Sequence, residues 1–268
     1  MRLTMKYARW VMINSRKPAA TIRLFCFPYA GSGASIFRDW QNHLPDDIEV
    51  VRVQLPGREN RFTEPRFSKL PDVIAPLFDL IGEMADKPFY FFGHSVGALI
   101  AFELTRALQR NGSSVPFHLV VSGMRAPQLP RREELHYLMD DETLLQKLKE
   151  YNGTPKDLLQ DTELMRFFLP QLRDDFAISE TYEHIPGLPL RCPLTALGGD
   201  SDPNVSESDV ASWFTNTNGQ FRYLLFAGDH FFIHPNKKAI LDLLGQIARH
   251  NAARLASSTR QASRVATQ

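Results

Sequence analysis

The chain has 268 residues, 43% of them hydrophobic and 23% charged, with a formal net charge of +1, which suits one large α/β domain with a sizeable core. That balance argues against a nucleic-acid binder held by bulk electrostatics, and no zinc-ligand spacing or RNA-binding signature appears. No apolar run is long enough to cross a bilayer, and Met1 to Ala20 carries basic residues without an apolar core or small-residue cleavage site, so a soluble, cytoplasmic protein is expected, with neither nucleic acid nor membrane as partner.

In chain order, Thr21 to Pro28 reads as a strand that breaks at Tyr29-Ala30-Gly31-Ser32-Gly33-Ala34 before a helical stretch ending near His43. The Gly-rich loop lacks the third glycine of a dinucleotide site and the Gly-Lys-Ser/Thr of a P-loop, which leaves an oxyanion loop as the better reading. Ile48 to Leu55 is the next strand, closed by Pro56-Gly57 and followed by Arg58, Arg61 and Arg66. Three arginines in one loop are ordinarily solvated. At the carboxyl edge of a parallel sheet they would instead meet an anionic group of a substrate, with Arg58 the candidate. Leu70 to Met84 has apolar residues at helical spacing. Cys26 and Cys192 both fall in predicted strands, where a thiol is a small buried hydrophobe, and neither is assigned a disulfide or a catalytic role.

Phe89 to Gly93 is aromatic and apolar, as a fully buried parallel strand would be, and an alanine-rich helix to about Arg110 follows. Between them Gly93-His94-Ser95-Val96-Gly97 forms G-x-S-x-G, a turn so sharp that side chains at the two glycines would strike neighbouring backbone. Ser95 is left at the tip, at a helix N-terminus that favours the anion formed when its hydroxyl attacks a carbonyl. Phe117 to Val121 is another strand. From Pro127 to Pro189 only helical pieces are predicted: Asp141 to Tyr151, Asp161 to Leu169, and Pro170 to Tyr182 with proline in its first turn. Such an insertion between strands is expected to act as a lid. Cys192 to Leu197 and Gln220 to Phe226 complete the sheet, with helices over Glu207 to Phe214 and Asn236 to His250; Asn251 to Gln268 is read as a disordered tail. The expected division is a core of 1–126 and 190–250, a lid of 127–189 and a tail of 251–268.

A serine on such an elbow needs a histidine held by a carboxylate, in the chain order nucleophile, acid, histidine. Of eight histidines, His230 alone directly follows the last strand in a glycine-containing loop near the edge where Ser95 emerges; His234 is the alternative. The acid belongs after the penultimate strand, where Gly199-Asp200-Ser201-Asp202-Pro203 favours Asp202, with Asp200 as alternative and Asp229 a distant third. The second oxyanion N–H should come from the loop after the first main strand, giving Ala30 beside Val96. No metal or other cofactor is called for.

With these residues located, the chain resembles the stand-alone type II thioesterases of polyketide and non-ribosomal peptide biosynthesis, within the α/β-hydrolase superfamily. The resemblance rests on Phe27-Pro28-Tyr29-Ala30-Gly31, Leu55-Pro56-Gly57-Arg58, the elbow, the run from Phe168 to Asp175, and Gly228-Asp229-His230-Phe231-Phe232. It implies an α/β-hydrolase fold with a mostly parallel central sheet, helices on both faces and a helical lid. It also implies a Ser/Asp/His hydrolase, expected as a monomer, that clears misprimed acyl groups from the phosphopantetheine arm of acyl or peptidyl carrier proteins. A lipase-like or small-ester hydrolase with the same triad is the alternative.

Overall fold

The computed structural model describes residues 7–13, 17–132, 134–151 and 161–265. Seven strands form one sheet: β1 (Val11–Met12), β2 (Ile22–Phe27), β3 (Ile48–Val53), β4 (Phe89–His94), β5 (Leu119–Ser122), β6 (Leu194–Gly199) and β7 (Phe221–Phe226), in the spatial order β1-β3-β2-β4-β5-β6-β7. Only the β1–β3 pairing is antiparallel; the others are parallel. Every residue of β2 to β6 is buried, as in a sheet covered on both faces, and the charged ones among them include Arg23, paired with Glu49 at 2.8 Å.

Successive side chains of a strand point to opposite faces, and here each face has its own cover. Phe25, Phe27, Phe91 and Val121 pack with α1 (Leu70–Met84) and α2 (Val96–Arg110). Leu24, Cys26, Tyr90 and Phe92 face the other way, against the last helix, α6 (Lys237–Val265), through Ile240, Leu244 and Ile247. Among the described residues the further α-helices are α3 (Asp141–Glu150), α4 (Thr162–Glu180) and α5 (Glu207–Ala211). Leu144 and Leu148 of α3 join Met165, Leu169 and Leu172 of α4 in a small core of their own, apart from the two sheet layers. Among the described residues, no helix is long and apolar enough to cross a membrane.

The observed elements differ from the expected ones in specific places. The two-residue β1 is too short to leave a sequence pattern. The stretch before His43 forms two 3-10 turns, Ala34–Phe37 and Trp40–Asn42, not one α-helix. Phe37 and Trp40 stand three residues apart with ring centroids at 4.6 Å, and burying both against the sheet favours the tighter winding. Glu207 to Phe214 divides into α5 and a 3-10 turn, Ser212–Asn216. Cys192 lies just ahead of β6, buried and unpaired like Cys26.

Pro170 does not start a new helix. It sits inside the continuous α4, where Met165 and Leu169 before it and Leu172 after it share one apolar cluster, which offsets the hydrogen bond that proline removes. The final helix continues past His250 through Val265 over residues expected to be a disordered tail. The run Asn251-Ala252-Ala253-Arg254-Leu255-Ala256 contains good helix formers and neither glycine nor proline. The last three residues of that expected tail, and 152–160 of the expected lid, lie outside the described residues.

Candidate active site

Ser95 joins β4 to α2 with φ 54° and ψ −124°, a conformation that is strained for a residue with a side chain. Its neighbours hold it there: its N–H donates to the Ser122 carbonyl at 2.8 Å, and its carbonyl accepts the Ala98 N–H at 2.8 Å. A Cβ on Gly93 would lie 2.1 Å from the Gly97 carbonyl oxygen, and one on Gly97 would lie 2.2 Å from that of Phe27. Both glycines are therefore demanded by contact. Val96 opens α2, so its N–H has no acceptor within the helix.

The parallel pairing of β6 with β7 sets Gly199 beside Phe226, so the loops after the two strands leave the sheet side by side. Asp202 from one and His230 from the other meet there: the His230 Nδ1–H donates to Asp202 Oδ2 at 2.7 Å. The other carboxylate oxygen, Oδ1, accepts the N–H groups of Asn204 at 2.9 Å and Val205 at 3.2 Å. The Asp202 side chain is fully buried, whereas that of His230 is partly exposed. This arrangement orients the imidazole. Asp200 is exposed and accepts from the Gly228 N–H and the Ser201 hydroxyl, which hold its carboxyl below the usual range. Asp229 accepts from the Phe231 N–H. His234 pairs through Nε2 with the Tyr29 hydroxyl at 3.0 Å.

His94, next to the nucleophile in the chain, is fully buried. Its ring centroid is 5.2 Å from that of His230 and its Nδ1 is 2.9 Å from the Ser122 hydroxyl. Burial pushes its pKa well down, aided by the neighbouring His230, so it packs as a neutral ring.

Ser95, Val96, Ala30, Tyr29 and His230 line one cavity of about 480 Å³. Its opposite wall comes from the 127–189 segment through Leu148, Tyr151, Leu172 and Phe176. A reactant there would contact the serine, the imidazole and two backbone N–H groups within one largely apolar enclosure.

Arg58 is not part of that enclosure. Its guanidinium is buried and donates to both oxygens of Asp175 on α4, at 2.9 and 2.8 Å, and to the Ser32 carbonyl at 3.1 Å. The expectation that it meets a substrate anion is therefore corrected: its charge is already matched inside the protein. Arg61 pairs with Glu64 and covers the Trp10 ring at 4.3 Å, and Arg66 pairs with Asp174 at 2.6 Å. In the sequence Asp175 stood out only as the end of the Phe168-to-Asp175 run that carries the resemblance, with no role assigned to it.

A serine elbow at the carboxyl edge of a mostly parallel sheet, with an acid–histidine pair in the following loops, defines an α/β-hydrolase-type protein. The chain belongs to the thioesterase domain family, whose match spans residues 22–248. It is 40% identical over 236 residues to the gramicidin S biosynthesis protein GrsT of Aneurinibacillus migulanus, covering 88% of this chain and 92% of that one. Among solved structures, the type II thioesterase BorB of the borrelidin biosynthetic cluster superposes with a TM-score of 0.81 at 35% identity, covering 88% of this chain and 96% of BorB. YbtT, the type II thioesterase of the yersiniabactin NRPS/PKS pathway, superposes at 0.77 with 29% identity, over 90% of this chain and 97% of its own.

Proposed function

We propose that the chain hydrolyses acyl thioesters on the phosphopantetheine arm of acyl or peptidyl carrier proteins, with Ser95 as nucleophile, His230 as base and Asp202 as its orienting acid. The observation that carries this is the 2.7 Å contact between His230 and Asp202 at the cavity that holds Ser95. Ser95 Oγ attacks the thioester carbonyl while its proton passes to His230 Nε2, and the oxyanion is received by the N–H groups of Ala30 and Val96. The C–S bond then breaks and the leaving sulfur takes the proton back from His230 Nε2, an undemanding step since thiols ionise near pH 8.5, and the acyl group stays on Ser95. His230 then takes a proton from water, whose attack releases the acid and restores the serine.

The pathway setting of the relatives, gramicidin S biosynthesis and an NRPS/PKS assembly, supports carrier-bound substrates and a clearing role for misprimed acyl groups. In this reading residues 127–189 form a lid on the 1–126 and 190–250 core, and the enzyme works as a cytoplasmic monomer. Burial that pushes the Cys192 thiol to about 12 and raises that of Cys26 suits inert thiols.

The test compares acyl-loaded carrier protein with the matching acyl-CoA and oxygen ester, using Ser95→Ala as the control. Higher kcat/KM on the carrier-bound thioester, absent in the control, is expected. Preference for the oxygen ester with indifference to the carrier would favour the lipase-like alternative.

A further inference from the structure

A second cavity, of about 1230 Å³, lies between α1, α2 and α4. Two residues, Tyr182 and Glu183, line both this groove and the 480 Å³ cavity of Ser95. Leu99, Glu103 and Arg106 stand at i, i+4 and i+7 and so share one face of α2. Along that face Leu99 lines the serine cavity, whereas Glu103 and Arg106 line the groove. The boundary falls where the Tyr182 hydroxyl donates to Glu103 Oε1 at 2.8 Å.

That boundary is firmly built. Glu103 Oε1 also accepts Arg106 Nη1–H at 2.6 Å, and the Arg106 Nη2–H donates to the Ile185 carbonyl at 2.6 Å. Gln109 binds the Pro189 carbonyl at 3.0 Å through its amide N–H and accepts the Arg191 N–H at 2.8 Å. The segment after α4 is thus fastened to α2 by three side chains, although it has no regular secondary structure. A sequence with alternating Glu103, Arg106 and Gln109 on a buried helix face otherwise has no role in the hydrolysis of the acyl group.

We propose that Tyr182 is the specificity-determining partition that ends the acyl cavity and limits acyl length. This rests on the reading of Ser95 as the residue that carries the acyl group. Glu103 lies eight residues beyond Ser95 on α2, which at about 1.5 Å of rise per residue sets the partition roughly 12 Å along the helix from the acyl attachment point. A chain that reaches the tyrosine ring has no further apolar volume to enter, because the groove beyond is closed off by the ring and its hydroxyl anchor. Glu103, Arg106 and Gln109 are positioning residues that keep the ring there.

The experiment measures kcat/KM for hexanoyl, decanoyl and tetradecanoyl groups, each as a p-nitrophenyl ester and as an N-acetylcysteamine thioester. Tyr182→Ala joins the cavity to the groove and should raise the tetradecanoyl-to-hexanoyl ratio by about tenfold or more. Tyr182→Leu, a milder change that guards against an unfolded alanine variant, should move the ratio the same way. Tyr182→Phe keeps the ring but loses the hydroxyl that Glu103 holds, and should move the ratio by less than Tyr182→Ala does. Ala107→Trp added to Tyr182→Ala refills the groove and should return the ratio towards wild type. An unchanged ratio in folded Tyr182→Ala or Tyr182→Leu overturns the proposal. A shifted ratio for the oxygen esters with no thioester turnover by the wild type would uphold the partition and instead remove the thioesterase reading.

Discussion

Asp175 binds Arg58 through both carboxylate oxygens and, at 2.7 Å, also accepts the N–H of Gly31, the residue after Ala30. One buried carboxylate thereby ties three distant segments together: the Leu55-to-Arg58 loop, the α4 helix and the loop that presents the candidate oxyanion N–H. The ion pair has its two side chains at 4% and 1% exposure, so each charge depends on the other for compensation.

Arg58→Met should destabilise the protein by about 3–5 kcal/mol, because it leaves a buried carboxylate without its partner. The double variant Arg58→Met/Asp175→Leu should recover most of that loss in urea denaturation. It should not recover turnover, since Gly31 still lacks its acceptor and the Ala30 loop is released. Equal recovery of stability and kcat would show that the pair has no bearing on the loop.

The contrast between Arg58 and α2 shows what the sequence carried. Leu70–Met84 and Val96–Arg110 were legible because their apolar spacing and the Asn111-Gly112 stop are local signals. Asp202 and His230 were legible through fold order, since both follow strands at the same sheet edge. Arg58 was misread because its acceptor lies 117 residues away, and a paired arginine looks the same in sequence as a solvated one. Pro170 was misread for the opposite reason: a strong local signal was outweighed by apolar packing on both sides of it.

Asp202→Asn should lower kcat by about 10⁴, with little change in folding, because an amide in place of the acceptor carboxylate reverses the imidazole tautomer. Asp200→Asn keeps an oxygen that can accept the Gly228 N–H and should have a far smaller effect. Steady-state turnover of both variants decides the matter, and the reverse ranking would transfer the role to Asp200.

Stability should fall between pH 6.5 and pH 4 in part through His118. Burial, with Arg222 and His250 adding repulsion, pushes its pKa from 6.5 to about 4. In that window the unfolded chain binds a proton that the native histidine does not, so stability declines as pH falls. The shift corresponds to an upper limit of about 3 kcal/mol. Its Nε2 lies 2.8 Å from the Thr195 hydroxyl, a contact that glutamine can reproduce without titrating. His118→Gln should therefore flatten the curve of denaturation midpoint against pH over this range, and parallel curves for the two proteins would refute the assignment.

The 127–189 segment should be mobile at one end and fixed at the other. Within α4, the half after Pro170 is held by Asp174 and Asp175 to Arg66 and Arg58, and by Glu180 to the ring of His136 and the N–H of Tyr137. The half before Pro170 stacks Phe167 on Phe62, a residue of the loop after β3, at 5.0 Å, and Phe167 remains 56% exposed. Pro170 interrupts the helical hydrogen bonds between the two halves. Opening of the cavity should then proceed by movement of α3 with the first half of α4, while Asp175 keeps its grip on the Gly31 loop. Hydrogen exchange should be fastest for amides of Glu163 to Leu169, slower for Phe176 to Glu180, and slowest for Phe89 to Phe92. A disulfide joining positions 62 and 167 as Phe62→Cys/Phe167→Cys should slow turnover of bulky acyl carriers and leave small esters nearly unaffected. Uniform exchange along α4, or native turnover of the carrier substrate in the oxidised double variant, would mean that this half of the helix does not move during catalysis.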